Sequence, residues 1–197
     1  MMTDEQFLVP LDTYLQSGIH IGAKFKTGFM MPYIYKIRPD GLCVLNISKI
    51  NEKIKNAATM LSGYEPSKIL VACRRENGHT AVKSFAKATG AKAISGRYLP
   101  GSLTNPAFEE YIEPGVVVVS DPWLDRQLVR DSVKANIPVI GLCDTNNISK
   151  ELELVIPCNN KGNKSLGLIF YILAREYLRN KGKIQKTSEL DIPLDKF

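Results

Sequence analysis

The chain has 197 residues, of which 44% are hydrophobic and 23% charged. This ordinary globular composition excludes a wholly disordered chain, a coiled coil and a collagen-like fibre. The length suits one large α/β domain, or at most two small ones, with a core that needs no disulfide or metal staple. Lys plus Arg number 26 against 20 Asp plus Glu, for a net charge of +6.

That charge is unevenly placed. Residues 1–19 carry net −3, residues 20–100 net +10, residues 101–160 net −5 and residues 161–197 net +4. Blocks of opposite sign give one molecule differently charged surfaces, and a polyanion such as RNA is the natural partner for the basic one. Lysines that merely keep a surface soluble would give the same count. The longest apolar run, Leu166 to Ala174, has nine residues, far short of the roughly 20 that span a bilayer. The acidic start, Met1-Met2-Thr3-Asp4-Glu5, is unlike a secretory signal. A cytosolic protein is expected.

The elements follow in chain order. Val9 to Gln16 has helical spacing, with Gly18 as a stop. Tyr33 to Ile37 and Leu42 to Ile47 read as strands joined by the turn chemistry of Pro39-Asp40-Gly41, hence a hairpin. Ser48 can cap a helix through about Leu61. Short apolar strands then alternate with helices. Strands are predicted at Ile69 to Cys73, Lys92 to Ile94, Val116 to Val119, Pro138 to Leu142 and Leu154 to Ile156. Helices are predicted from Thr80 to Thr89, from the Asp121-Pro122 start to Ala135, and from Lys164 to Asn180. This alternation predicts an α/β fold: a three-layer, doubly wound parallel sheet of about five core strands, with an N-terminal hairpin extension. Residues 1–182 form the expected single domain and residues 183–197 a loosely held C-terminal tail.

Enzyme chemistry finds little support. No G-x-G-x-x-G dinucleotide fingerprint exists, and the stretch from Pro157 to Ser165 fails as a phosphate loop: Pro157 replaces its first glycine and Asn163 separates Gly162 from Lys164. The histidines, His20 and His79, sit in different segments without a nucleophile motif. Four dispersed cysteines show no ligand spacing, and Cys43, Cys73 and Cys143 in apolar runs read as inert core thiols. Asp121, Asp125 and Asp144 lie near strand ends, where α/β enzymes keep their chemistry, but helix caps and surface charges explain them better. No catalytic residue, metal or cofactor is expected, and no small-molecule substrate.

RNA binding asks for lysine, arginine, small polar side chains and exposed amides in loops. The segment from Ser17 to Gly28 has that character. His20, Lys24 and Lys26 supply donors, its glycines permit close approach of a ligand, and Phe25 and Phe29 can pack or stack. A surface loop anchored by its aromatics would read the same way.

Five motifs, in order, now make the chain recognisable. They are Gly18-Ile19-His20-Ile21-Gly22; Arg38-Pro39-Asp40-Gly41-Leu42-Cys43-Val44-Leu45; Gly96 to Pro106, reading GRYLPGSLTNP; Asn136 to Asn147, reading NIPVIGLCDTNN; and Leu154 to Gly162, reading LVIPCNNKG. Together they resemble the archaeal branch of the small-subunit ribosomal protein S2 family over roughly Val9 to Ile192. Asn46 replaces the family's usual aspartate before the first long helix and keeps an acceptor. Only ten residues separate Asn105 from Val116, which leaves no room for the coiled-coil insertion of bacterial relatives.

The resemblance implies a flavodoxin-like sheet in order 2-1-3-4-5, counted from the Ile69 strand. It implies a structural role on the small subunit, contacting 16S-type rRNA and neighbouring ribosomal proteins, with no catalysis. The expected RNA contacts are His20, Lys24, Lys26, Lys36, Arg38 and Arg74. Arg75, Arg97, Thr104, Asn105, Asn160 and Lys161 complete the set. Arg38 pinning the hairpin, Arg97 pairing with Glu109 or Glu110, and Asn160 capping the last helix are the competing readings. Arg175, Arg179 and Lys183 either touch RNA or complement a helix end. The acidic residues Glu109, Glu110, Glu113, Asp125, Asp131, Glu151 and Glu153 are expected to face solvent or a basic neighbour, away from phosphate.

Overall fold

The computed structural model describes residues 7–185, 190 and 192–197. Helix α1 (Leu11–Ser17) stops at Gly18, which takes the left-handed φ of 68° that few other residues accept. Strands β1 (Ile34–Ile37) and β2 (Cys43–Leu45) form the expected antiparallel hairpin, with Ile37 opposite Cys43. The Asp40 Oδ1 accepts from the Leu42 N–H in its turn. Ile21 bridges to Val44 on the other edge of β2. Helix α2 (Ile47–Ser62) is capped by Asn46, not Ser48: the Asn46 Oδ1 accepts from the Ser48 N–H at 3.0 Å. Its inner stripe, Ile50, Ile54, Ala57, Ala58 and Leu61, is buried.

The sheet and its helices follow: β3 (Ile69–Cys73), α3 (His79–Thr89), β4 (Lys92–Ser95), β5 (Val116–Val119), α4 (Arg126–Lys134), β6 (Val139–Cys143), β7 (Leu154–Pro157) and α5 (Asn163–Asn180). The five strands pair in parallel in the order β4-β3-β5-β6-β7. Counted from β3 this is 2-1-3-4-5. Alternation along the strands divides the core into two layers. Ile69, Val71, Val116, Val118, Ile140 and Leu142 join the larger cluster with residues of α2, α3 and α5. Leu70, Val117, Val119 and Val139 join the smaller one with Leu128 and Val129 of α4, Tyr98 and Leu103. Helix α5 is buried on most of its circumference, which accounts for its continuous apolar run, and Phe170 meets Phe85 of α3 edge-on at 5.8 Å. No helix among the described residues is long and apolar enough to cross a membrane.

Two local expectations change. Helix α4 begins at Arg126 rather than at Pro122, because Asp121 has other work. Its Oδ1 accepts from the Trp123 N–H, its carbonyl accepts from the Asp125 N–H, and residues 122–125 turn tightly before the helix. In the expected tail, residues 186–189 and 191 lie outside the described residues, but Leu190 and Phe197 are buried rather than loose. The Phe197 ring stands edge-on to Tyr171 at 5.6 Å. Its backbone crosses Gly167, where an added Cβ would come within 3.0 Å of the Phe197 carbonyl carbon. All four cysteines are buried free thiols, and burial pushes those of Cys73, Cys143 and Cys158 up.

Candidate nucleic-acid interface

A parallel sheet brings the carboxyl ends of all its strands to one edge. Here that edge carries Arg74 and Arg75 after β3, Arg97 after β4, Trp123 after β5, the run Asp144-Thr145-Asn146-Asn147 after β6, and Asn160-Lys161 after β7. In an α/β enzyme of this shape a ligand crevice would open there. Instead the segment after α1 lies across the ends of β6 and β7. The Ala23 N–H donates to Asp144 Oδ1 at 3.1 Å and to Thr145 Oγ1 at 3.0 Å. The Thr27 N–H donates to the Thr145 carbonyl at 2.9 Å, and the Thr27 hydroxyl donates to the Asn147 carbonyl at 2.7 Å. Asn159 N–H donates to the Ile19 carbonyl. Close approach is the reason for Gly22, where a Cβ would stand 2.6 Å from Thr145 Cγ2. The approach is to this chain's own strand ends, not to a ligand.

Beneath that segment lies a buried polar network. Arg75 donates through Nε (3.1 Å) and Nη2 (2.5 Å) to Asp121 Oδ2, while Asn147 Nδ2 donates to Asp121 Oδ1 at 3.0 Å. Asn147 Oδ1 accepts from the Asp144 N–H and from Asn160 Nδ2. Lys161 Nζ donates to Asp144 Oδ2 at 2.7 Å. Both carboxylates are buried. Apart from the Asp144–Asn147 bond within the loop after β6, every link joins the end of one strand to the end of another, so the network fixes the loops relative to one another.

The predicted contact residues divide accordingly. Lys24, Lys26, Lys36, Arg38, Arg74, Arg97, Thr104 and Asn105 are exposed. Arg38 pairs with Asp40 at 3.6 Å within the hairpin turn, both side chains half in water. Arg74 donates weakly to the Leu124 carbonyl. Asn105 Oδ1 accepts from the Ala107 N–H, which shapes its own turn. Arg75 and Lys161 point at carboxylates, so their charges are largely spent inside the molecule. Asn160 is buried, with its Nδ2 shared between the Leu142 carbonyl and Asn147. Asn159, not Asn160, shapes the approach to α5, its Oδ1 accepting from the N–H groups of Lys161 and Gly162. His20 is half-buried, and burial lowers its pKa, so it stands as a neutral imidazole. With Lys36 and Arg38 it lines a groove of about 570 Å³ between α1 and the hairpin, whose floor includes Leu11, Leu15, Ile21 and Val44.

Two charge expectations are corrected. Asp125 and Asp131 do not face solvent: both are buried. Asp131 accepts from the Tyr98 hydroxyl and from Gln127 Nε2, and burial holds Asp125 up at about 6. Arg175 is also buried, donating to the Leu8 carbonyl and to Glu176, which pairs with Arg179 as well. Lys183 lies past the end of α5. Arg175 thus ties the N-terminal segment to α5, Arg179 pairs within the helix, and Lys183 alone of the three is exposed, so the four-residue spacing makes no single exposed basic face. The reading by residue type also passed over Thr145 and Asn147, and placed Asp144 near a strand end without its partners. A dense run of small polar side chains directly after a fully buried strand was the available signal.

The fold and this edge define an α/β protein whose β6 and β7 ends are covered by its own chain and whose strand-end edge is rimmed with cations. Comparison with known proteins agrees. The family profile of Ribosomal protein S2 matches residues 14–110 and 107–179. The small ribosomal subunit protein uS2 of Nanoarchaeum equitans is 47% identical over 190 residues, covering 96% of this chain and 94% of that protein. Those of Methanococcus maripaludis strain C5 (44% over 196 residues, 100% and 88% covered) and Thermoplasma acidophilum (45% over 194 residues, 98% of each) are similar. The chain belongs to the ribosomal protein S2 family. It is a structural protein of the small ribosomal subunit, not an enzyme.

Proposed function

We propose that the strand-end edge and the adjoining hairpin grip 16S-type rRNA on the small subunit of the cytoplasmic ribosome, holding RNA helices in register beside neighbouring ribosomal proteins. Lys24, Lys26, Lys36, Arg38, Arg74 and Arg97 supply the positive charge. Thr104 and Asn105 offer hydrogen bonds to phosphate or ribose. Arg75, Asn160, Lys161 and the neutral His20 act from behind, positioning the loops. Residues 1–182 work as the one RNA-gripping domain, with residues 183–197 as its appendage. The reading requires no cofactor and no small-molecule substrate.

One observation carries it. Lys24, Lys26, Arg74 and Arg97 come from segments far apart in sequence, yet the topology delivers them, exposed, to a single edge that the acidic residues Glu109 and Glu110 do not neutralise by any ion pair among the described residues. The test is filter binding of the full chain to small-subunit rRNA across a salt series. Leaving aside Arg38, which pairs with Asp40, the five other exposed cations, Lys24, Lys26, Lys36, Arg74 and Arg97, predict a slope of log K against log salt of roughly −4. Trp123, the one tryptophan of the chain, stands on the same edge and its emission will change as RNA binds. Salt-independent binding with unchanged emission would refute the assignment.

A further inference from the structure

Phe25 is 81% exposed, more than any other large apolar side chain among the described residues. It belongs to neither core cluster. Yet its backbone is held in place by hydrogen bonds at and around it. The Phe25 carbonyl accepts from the buried Thr145 hydroxyl at 2.8 Å. Two residues earlier the Ala23 N–H is held by Asp144 and Thr145, and two residues later Thr27 is held by Thr145 and Asn147. A phenyl ring that merely anchored a loop would turn inward. This one is carried outward on a segment already fixed by the polar network, with exposed Lys24 on one side and exposed Lys26 on the other.

We infer that Phe25 is a stacking platform for an unpaired nucleotide of the bound RNA, with Lys24 and Lys26 seated on the phosphates to either side. The inference rests on the RNA-binding reading above and sharpens it: the partner of this segment is an unstacked base, not a duplex. The chemistry matches what single-stranded RNA demands. A base needs an aromatic face, the phosphates around it need cations at close spacing, and a rigid platform loses little conformational freedom on binding. Duplex RNA keeps its bases stacked on one another and offers Phe25 nothing.

The experiment compares the full chain with its F25A, F25L, F25W and K24A/K26A variants on two probes: a single-stranded oligoadenylate carrying a fluorescent adenine analogue, and a blunt RNA duplex. On the single strand, F25A and F25L will weaken binding about tenfold without changing the salt slope, F25W will retain it, and the analogue's quenching will vanish with the ring. K24A/K26A will instead flatten the slope by roughly 0.7 for each lysine lost. On the duplex, only the lysine variant will matter. Steep salt-dependent binding that F25A leaves intact on the single strand, or that F25A weakens equally on both probes, overturns the inference while sparing the RNA-binding reading. Failure of the unaltered chain to bind either probe overturns both. Unchanged RNA affinity combined with poorer incorporation of F25A into small subunits assigns the ring to a protein neighbour and also overturns it.

Discussion

Asp121 shows how a single side chain takes several duties. It receives Arg75, Asn147 and the Trp123 amide at once. Asp121→Ala leaves an arginine and two amides without their acceptor, and removing one partner of a buried pair costs about 3 kcal/mol where the other partner is partly in water, as Arg75 is. Urea unfolding of the variant will show that loss with little change in the slope of the transition. Asp125 differs. Burial lifts it from an ordinary 3.8 to about 6, against the opposing pull of a backbone bond from Arg74. Between those values the folded chain still holds a proton that the unfolded chain has released. Stability from this group is therefore full below 3.8 and is lost as pH climbs to about 6. Asp125→Asn, neutral throughout, will lack that slope, so its Tm will gain on the parent between pH 4 and 7 in calorimetry at matched ionic strength. Residue type and local spacing disclosed the exposed cations, but not which were already paired. Arg75 and Asp121 are 46 positions apart, and nothing in either segment announces the other.

The elements were far more legible, because their signals are local. Four consecutive valines make β5, and Gly90 ends α3 with a left-handed φ of 83°, while the cap of α2 lies two residues before the expected Ser48. The misread boundary was α4, since an Asp-Pro pair opens a tight turn as readily as a helix and only the partners of Asp121 decide which. The segment from Ser17 to Gly28 was recognised as glycine-rich, yet the purpose of Gly22 depends on a strand end more than a hundred residues away. Gly22→Ala places a Cβ 2.6 Å from Thr145 Cγ2 and 3.1 Å from the Cys43 carbonyl. Overpacking of that kind costs roughly 1–3 kcal/mol. The expected outcome is a lower urea midpoint together with faster amide exchange at Ala23 and Thr27, the two N–H groups that dock the segment.

At the scale of the whole molecule, the layer count followed from alternation and the strand order from the family resemblance. The filling of the strand-end crevice by the chain's own early segment was not foreseeable from pattern, because it is a fact of topology. That feature has a temporal side. The bonds from Ala23 reach 121 and 122 positions ahead. During synthesis the N-terminal segment leaves the exit tunnel long before Asp144 and Thr145 exist, and a contact of such separation must wait for its partner. Residues 18–28 are therefore among the first to be made and among those that must wait longest for their contacts. Chains arrested before Asp144 will have residues 18–28 open to protease, whereas chains with Lys161 free of the tunnel will protect them. A half-made copy thus carries its lysines without a frame to aim them.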